Sequence, residues 1–110
     1  MKQAEIWYAE LNPVKGSEQK GYRPVVIISG NMLNTYLPIV IVCPLSTKIK
    51  DYKGNLILKP TKKNGLSKTS EVMMFHIRSI SKERLIRKIG TISASQLTEM
   101  KQGLDDLLRY

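Results

Sequence analysis

The sequence predicts an α+β fold that is mainly β: a small antiparallel barrel with one amphipathic helix at its C-terminus. Two runs, Val25-Val26-Ile27-Ile28-Ser29 and Ile39-Val40-Ile41-Val42-Cys43, are β-branched and too apolar to have a solvent face. Strands of this kind belong in the central layer of a sheet, covered on both sides. Ser93 with Gln96 three residues later fits a capping box, and Leu97, Met100, Leu104, Leu107 and Leu108 then recur at helical spacing. At 110 residues the chain has room for one core, so residues 1–110 form a single domain.

The remaining elements follow in order. Ile6–Leu11 reads as a first strand, ended by Asn12-Pro13. A polar loop, Gly16-Ser-Glu-Gln-Lys-Gly-Tyr-Arg-Pro24, leads into the Val25 strand. Gly30-Asn31 opens the connection to the next strand and Pro38 closes it. Asn55–Lys59 is a short strand, and Pro60–Lys68 a basic loop. Glu71–Ile80 reads as a longer strand, with Val72, Met74, His76 and Arg78 on one face and Met73, Phe75, Ile77 and Ser79 on the other. A helical turn around Lys82–Leu85 and an extended Ile86–Ile92 precede the final helix, with Gly90 weakening the regularity of that segment.

Composition narrows the function. The longest apolar run, Pro38–Leu45, is too short to span a bilayer, and the N-terminus has no apolar leader, so a cytoplasmic protein without a membrane partner is expected. The single cysteine, Cys43, lies inside an apolar strand and reads as a buried structural thiol. Eighteen Lys and Arg against nine Asp and Glu give a net charge of +9. From Lys15 to Lys63 only Glu18 and Asp51 oppose nine positive side chains. That stretch either attracts a polyanion such as nucleic acid or is simply a solvated face.

The candidates for chemistry are few. His76 is the sole histidine, which excludes a paired-histidine ribonuclease and a zinc site of the usual His/Cys kind. Its strand of Met and Phe points to packing or hydrogen bonding rather than catalysis. No phosphate-binding glycine loop, nucleophile elbow or acidic cluster for magnesium occurs, and no cofactor is expected. Hydroxyls, one or two carboxylates and arginine remain. RNA cleavage runs on so little, because the substrate's own 2′-hydroxyl is the nucleophile. In the polar loop, Glu18 is a proton acceptor or orienter and Arg23 a planar cation for phosphoryl oxygens, unless the loop is a surface turn with an exposed ion pair. Ser46 and Thr47, just past the Ile39 strand, are hydroxyls beside the same site or an ordinary strand-ending turn.

Ile6-Trp7-Tyr8-Ala9-x-Leu11-x-Pro13-x-x-Gly16-Ser17-Glu18-Gln19-x-Gly21-x-Arg23-Pro24-Val25-Val26-Ile27-Ile28-Ser29 resembles the opening signature of the MazF/PemK family of toxin endoribonucleases. Pro44-Leu45-Ser46-Thr47 after an apolar strand, and His76-Ile77-Arg78-Ser79-Ile80-x-x-x-Arg84-Leu85 before a terminal helix, agree with it. The resemblance implies a Src-homology-3-like barrel assembled as a homodimer. It implies metal-independent cleavage of single-stranded RNA to a 2′,3′-cyclic phosphate and a 5′-hydroxyl, under control of an antitoxin protein. The family's catalytic arginine falls on Arg23, its loop glutamate on Glu18 and its catalytic threonine on Ser46. The last is a departure: serine lacks the methyl that fixes the rotamer, so Thr47 stays a candidate for the same role. Gln19, Lys20, Lys48, Lys50, Lys53 and Arg78 are the expected RNA contacts. Two alternatives share the architecture. A gyrase-poisoning toxin carries a tryptophan near its C-terminus, whereas this chain has only Trp7; the other alternative is a catalytically weak RNA-binding barrel.

Overall fold

A computed structural model of the chain describes residues 1–11 and 21–110. Glu18, Gln19 and Lys20 therefore lie outside the described residues. The elements run β1 (Glu5–Glu10), β2 (Tyr22–Ile27), α1 (Asn31–Tyr36), β3 (Ile39–Ser46), β4 (Leu56–Leu58), β5 (Ser70–Val72), β6 (Arg78–Ser81), β7 (Leu85–Thr91) and α2 (Ala94–Arg109). Every strand pairing is antiparallel, in the order β4-β5-β3-β2-β1-β7, and β6 joins the remaining edge of β3 beside β5. The curled half-barrel with a C-terminal helix is the fold expected from the sequence.

The β-branched runs behave as their composition requires. Val25, Val26, Ile27, Val40, Val42 and Cys43 are fully buried, and alternate residues serve two cores. On one face of the sheet Ile6, Val26, Cys43, Leu45 and Val72 pack with Met74 and with Met100 of α2. On the other, Ala9, Val25, Ile27 and Val42 meet Ile80 and Leu85. Burial pushes the Cys43 thiol up to about 12, so it is an inert structural group.

The capping box at α2 is complete: Ser93 Oγ accepts from the Gln96 N–H at 3.1 Å, and Gln96 Oε1 from the Ser93 N–H at 2.9 Å. Its apolar stripe is only partly used. Leu97, Met100 and Leu104 reach the core, whereas Leu107 is exposed and Leu108 is 89% exposed.

Two expectations are corrected. Glu71–Ile80 is not one strand: a 3-10 turn at Met74–His76 separates β5 from β6. Asn55 Oδ1 takes the Met74 N–H at 3.0 Å, and the His76 and Ile77 N–H groups turn back to the Met73 and Met74 carbonyls. Val72 and Met74 are buried as the alternation requires, but His76 and Arg78 are exposed. His76 packs on the Phe75 ring, centroids 4.8 Å apart. The Gly30–Leu37 connection, read as a loop, holds the six-residue α1. Its buried Asn34 donates to the Ser29 carbonyl at 2.9 Å and accepts from the Ser29 hydroxyl, which in turn takes the Ile41 N–H at 3.0 Å.

Gly90 lies within β7, and the expected irregularity is there: the β1–β7 register shifts between the Ile6–Gly90 and Trp7–Lys88 pairs. A Cβ on Gly90 would lie 2.4 Å from the Lys63 carbonyl oxygen, so glycine is what lets the 61–66 backbone close onto the strand. Among the described residues no helix is long and apolar enough to cross a membrane.

Candidate functional site

The antiparallel ladder of β2 and β3 sets the site. Val25 pairs with Pro44, Val26 with Cys43 and Ile27 with Val42. Arg23 lies two residues before Val25 and Ser46 two residues after Pro44, the last pair of this ladder, both still within their strands. Arg23 is exposed there, and Ser46 partly buried. Together with Thr47, Lys48, Tyr8 and Tyr22 they line a cleft of about 340 Å³.

Ser46 Oγ accepts the Lys48 N–H at 3.1 Å, the contact that turns the chain out of β3. Its own proton is left for another acceptor. Thr47, one residue on, lies in the bend that follows β3 and lines this cleft as well. It also lines a second cleft of about 280 Å³, whose wall contains neither Arg23 nor Ser46. The structure thus brings Arg23, Ser46, Thr47 and Lys48 together, with Thr47 on the boundary of the two hollows.

Lys50 and Lys53 lie on the loop that leaves this cleft, and both are exposed. The loop is held from beneath by Glu71, which is fully buried. Its Oε1 accepts the N–H groups of Lys50 at 2.8 Å and Asp51 at 3.0 Å; its Oε2 accepts those of Tyr52 and of the Asn55 amide, both at 2.9 Å. Burial alone raises the pKa of this carboxyl, but bonds from Asn55, Lys50, Tyr52 and Asp51 outweigh it and hold the group below the usual carboxylate range.

Arg78 is not brought to the cleft. It pairs with Val42 on β6, four residues along β3 from Ser46, about 13 Å at strand rise. Sequence reasoning missed Tyr8, Tyr22 and Arg87. The two tyrosine rings are nearly parallel, 9° apart in plane and 6.1 Å between centroids, and the Arg87 guanidinium lies 5.6 Å from the Tyr8 centroid. The available signal was a tyrosine in β1 two positions from the fully buried Ile6, where alternation predicts an inward side chain. Glu71 was missed as well; a carboxylate between Ser70 and Val72 in a short strand was its signal.

Residues 2–108 match the family of PemK-like, MazF-like toxins of type II toxin–antitoxin systems. The chain belongs to this family. It is 37% identical over 106 residues to a protein of Staphylococcus epidermidis named endoribonuclease MazF, covering 96% of this chain and 88% of that protein. A Staphylococcus saprophyticus protein of the same name is 36% identical over 106 residues, with the same coverage. Among solved structures, a MazE–MazF crystal structure from Deinococcus radiodurans superposes with a TM-score of 0.81 at 25% identity, covering 98% of this chain and 95% of that one. The family expected from the N-terminal string, the Pro44–Thr47 patch and the His76–Leu85 patch is therefore the right one.

Proposed function

We propose that this chain is the toxin of a toxin–antitoxin module and cuts single-stranded messenger RNA at selected sequences, without a metal ion, leaving 2′,3′-cyclic phosphate and 5′-hydroxyl ends. The two staphylococcal relatives are named endoribonucleases, and this chain is an RNA-cleaving enzyme of the same family. The observation that carries the finer reading is that Arg23, Ser46 and Lys48 line one cleft.

In the proposed reaction the 2′-oxygen attacks phosphorus as its proton passes to a base, and the bond from phosphorus to the 5′-oxygen breaks as that oxygen gains a proton. Arg23 faces the phosphoryl oxygens with its planar fork, offsets the charge of the phosphorane and assists protonation of the leaving oxygen. The Ser46 hydroxyl, accepting from Lys48, donates to the reacting phosphate. Glu18 accepts the 2′-proton or orients Arg23, with Gln19 and Lys20 beside it on the strand of RNA. Lys48, Lys50 and Lys53 bind flanking phosphates.

Two copies join their basic loops into one longer groove, and exposed apolar side chains such as Met32 (77%) and Tyr36 (79%) supply surface for that association. The partner protein is a cognate antitoxin, and the Deinococcus neighbour is described as a complex of MazE with MazF. The test is incubation of the purified protein with a long single-stranded RNA in EDTA, followed by mapping of the ends. Cyclic-phosphate ends at recurring sequences are expected, and a 2′-deoxy nucleotide at the cut abolishes cleavage there. RNA left intact would overturn the reading.

A further inference from the structure

The second cleft adjoins the first, sharing Tyr8, Pro24 and Thr47 with it. Its far wall, Gly65–Lys68, is fixed. Asn64 is buried; its Oδ1 accepts the Thr61 and Leu66 N–H groups at 2.9 and 3.0 Å, and its Nδ2 donates to the Lys59 carbonyl at 2.9 Å. Gly65 adopts φ +67°, and a Cβ there would meet the Ile89 carbonyl oxygen at 2.2 Å, so the wall is pressed against β7. The hollow is therefore preformed. Its floor is apolar, with Leu66 and Ile89, and its rim carries Lys68 and Arg87. Neither cation forms an ion pair among the described residues.

Arg87 is the informative group. It is exposed and sits opposite Tyr8 across the β1–β7 ladder, with its guanidinium over the ring. Tyr8 in turn lies beside Tyr22. An exposed arginine beside an aromatic ring at the rim of a cleft offers a planar surface of the kind on which unpaired RNA bases stack. We infer that the second cleft holds the nucleotide next to the scissile phosphate, its base stacked on Arg87 and its phosphate near Lys68, so that Arg87 is a base-stacking residue of this subsite. This rests on the proposed RNA cleavage and adds a subsite to it.

The test is a cycle of single-turnover cleavage rates on an oligoribonucleotide that the wild-type chain cuts, intact or with an abasic ribose on the 5′ or the 3′ side of the cut. In the wild type, the abasic substitution on one of those sides is expected to slow cleavage by roughly tenfold, the scale of one base–aromatic stacking contact. Arg87→Ala should slow the intact substrate by a similar factor and show no further loss on the abasic one. Arg87→Lys should behave like Arg87→Ala, since a base stacks on the plane and not on the charge. An unchanged melting temperature, expected for an exposed side chain, separates these effects from misfolding. RNA cut by every variant with equal abasic sensitivity would overturn this inference alone, as would full rescue by lysine. RNA left intact by the wild type would remove it together with the reading it rests on.

Discussion

The Asn55 amide donates to Glu71 Oε2 at 2.9 Å while its own carbonyl oxygen takes the Met74 N–H at 3.0 Å. One side chain thus ties the basic loop to the buried carboxylate and to the turn that breaks the predicted long strand. Asp51, in the left-handed region at φ 54°, is held in this same net by its N–H to Glu71. A charge with no solvent of its own holds the Lys48–Asn55 segment from inside the barrel.

That arrangement makes stability depend on acid. The folded pKa of Glu71 lies below its unfolded value, so its contribution is present above the ordinary carboxylate range and is lost as pH falls through the folded value. Glu5 acts in the same sense. Burial raises its pKa, but bonds from the Lys2 N–H and the Trp7 indole and the nearby Lys88 ammonium lower it overall. Urea unfolding should therefore give a falling midpoint from about pH 6 to about pH 3. Glu71→Gln should cost roughly 2 kcal/mol near neutrality, since an amide hydrogen replaces an acceptor facing N–H donors, and should flatten but not remove the acid slope. An unchanged midpoint in Glu71→Gln at neutral pH would show that the loop is held by other means.

Arg23→Ala should lower turnover by about a hundredfold or more, the scale lost when a charge-stabilising donor is removed from a transition state. Arg23→Lys should recover little, because an ammonium lacks the planar fork. Arg23 is exposed, so the fold should survive both changes. The measurement is kcat on one defined RNA, with circular dichroism to confirm folding. Near-normal kcat in folded Arg23→Ala would remove arginine from the mechanism.

Ser46 and Thr47 should separate cleanly. Ser46 shares one cleft with Arg23 and Lys48, and Thr47 sits at the boundary with the neighbouring hollow. Ser46→Ala should damage kcat far more than Thr47→Val, and Ser46→Thr should be tolerated or improved. Thr47→Val should act mainly on KM. The reverse ranking in steady-state kinetics would transfer the hydroxyl's role to Thr47.

Most of the framework was legible because burial dictates composition. The Val25 and Ile39 runs had no polar face, and Ser93 with Gln96 marked the start of α2. What escaped depended on contacts distant in sequence. The six-residue α1 is too short to be stable by itself and is anchored by Asn34 on Ser29. The break at Met74 was hidden because Met73-Met74-Phe75-His76-Ile77 keeps a strand-like pattern, and the Asn55 carbonyl that captures Met74 comes from another loop. At the site, Arg23 and Ser46 were linked by family resemblance, while the β2–β3 pairing that brings them to one cleft needed the fold. Tyr8 and Arg87 meet only because β1 and β7, near opposite ends of the chain, are neighbours in the sheet.

The last prediction concerns assembly and control. The chain carries a net charge of +9, and its candidate cleft opens beside the loop bearing Lys48, Lys50 and Lys53. One copy offers a short basic track, and two would extend it and multiply phosphate contacts, each of which releases counterions and steepens the dependence on salt. The same charge should attract an acidic, disordered antitoxin segment, which would fold on binding and exclude RNA by occupancy and by charge. A homodimer at micromolar concentration is therefore expected by light scattering. RNA affinity measured by fluorescence anisotropy should fall steeply from low to physiological salt, and an acidic antitoxin peptide should displace the RNA competitively. Lys50→Ala and Lys53→Ala should each lower affinity and make the salt slope shallower while leaving kcat nearly unchanged, because their proposed contacts are with flanking phosphates and not the reacting one. A monomer with salt-insensitive cleavage would mean that these lysines serve solubility alone.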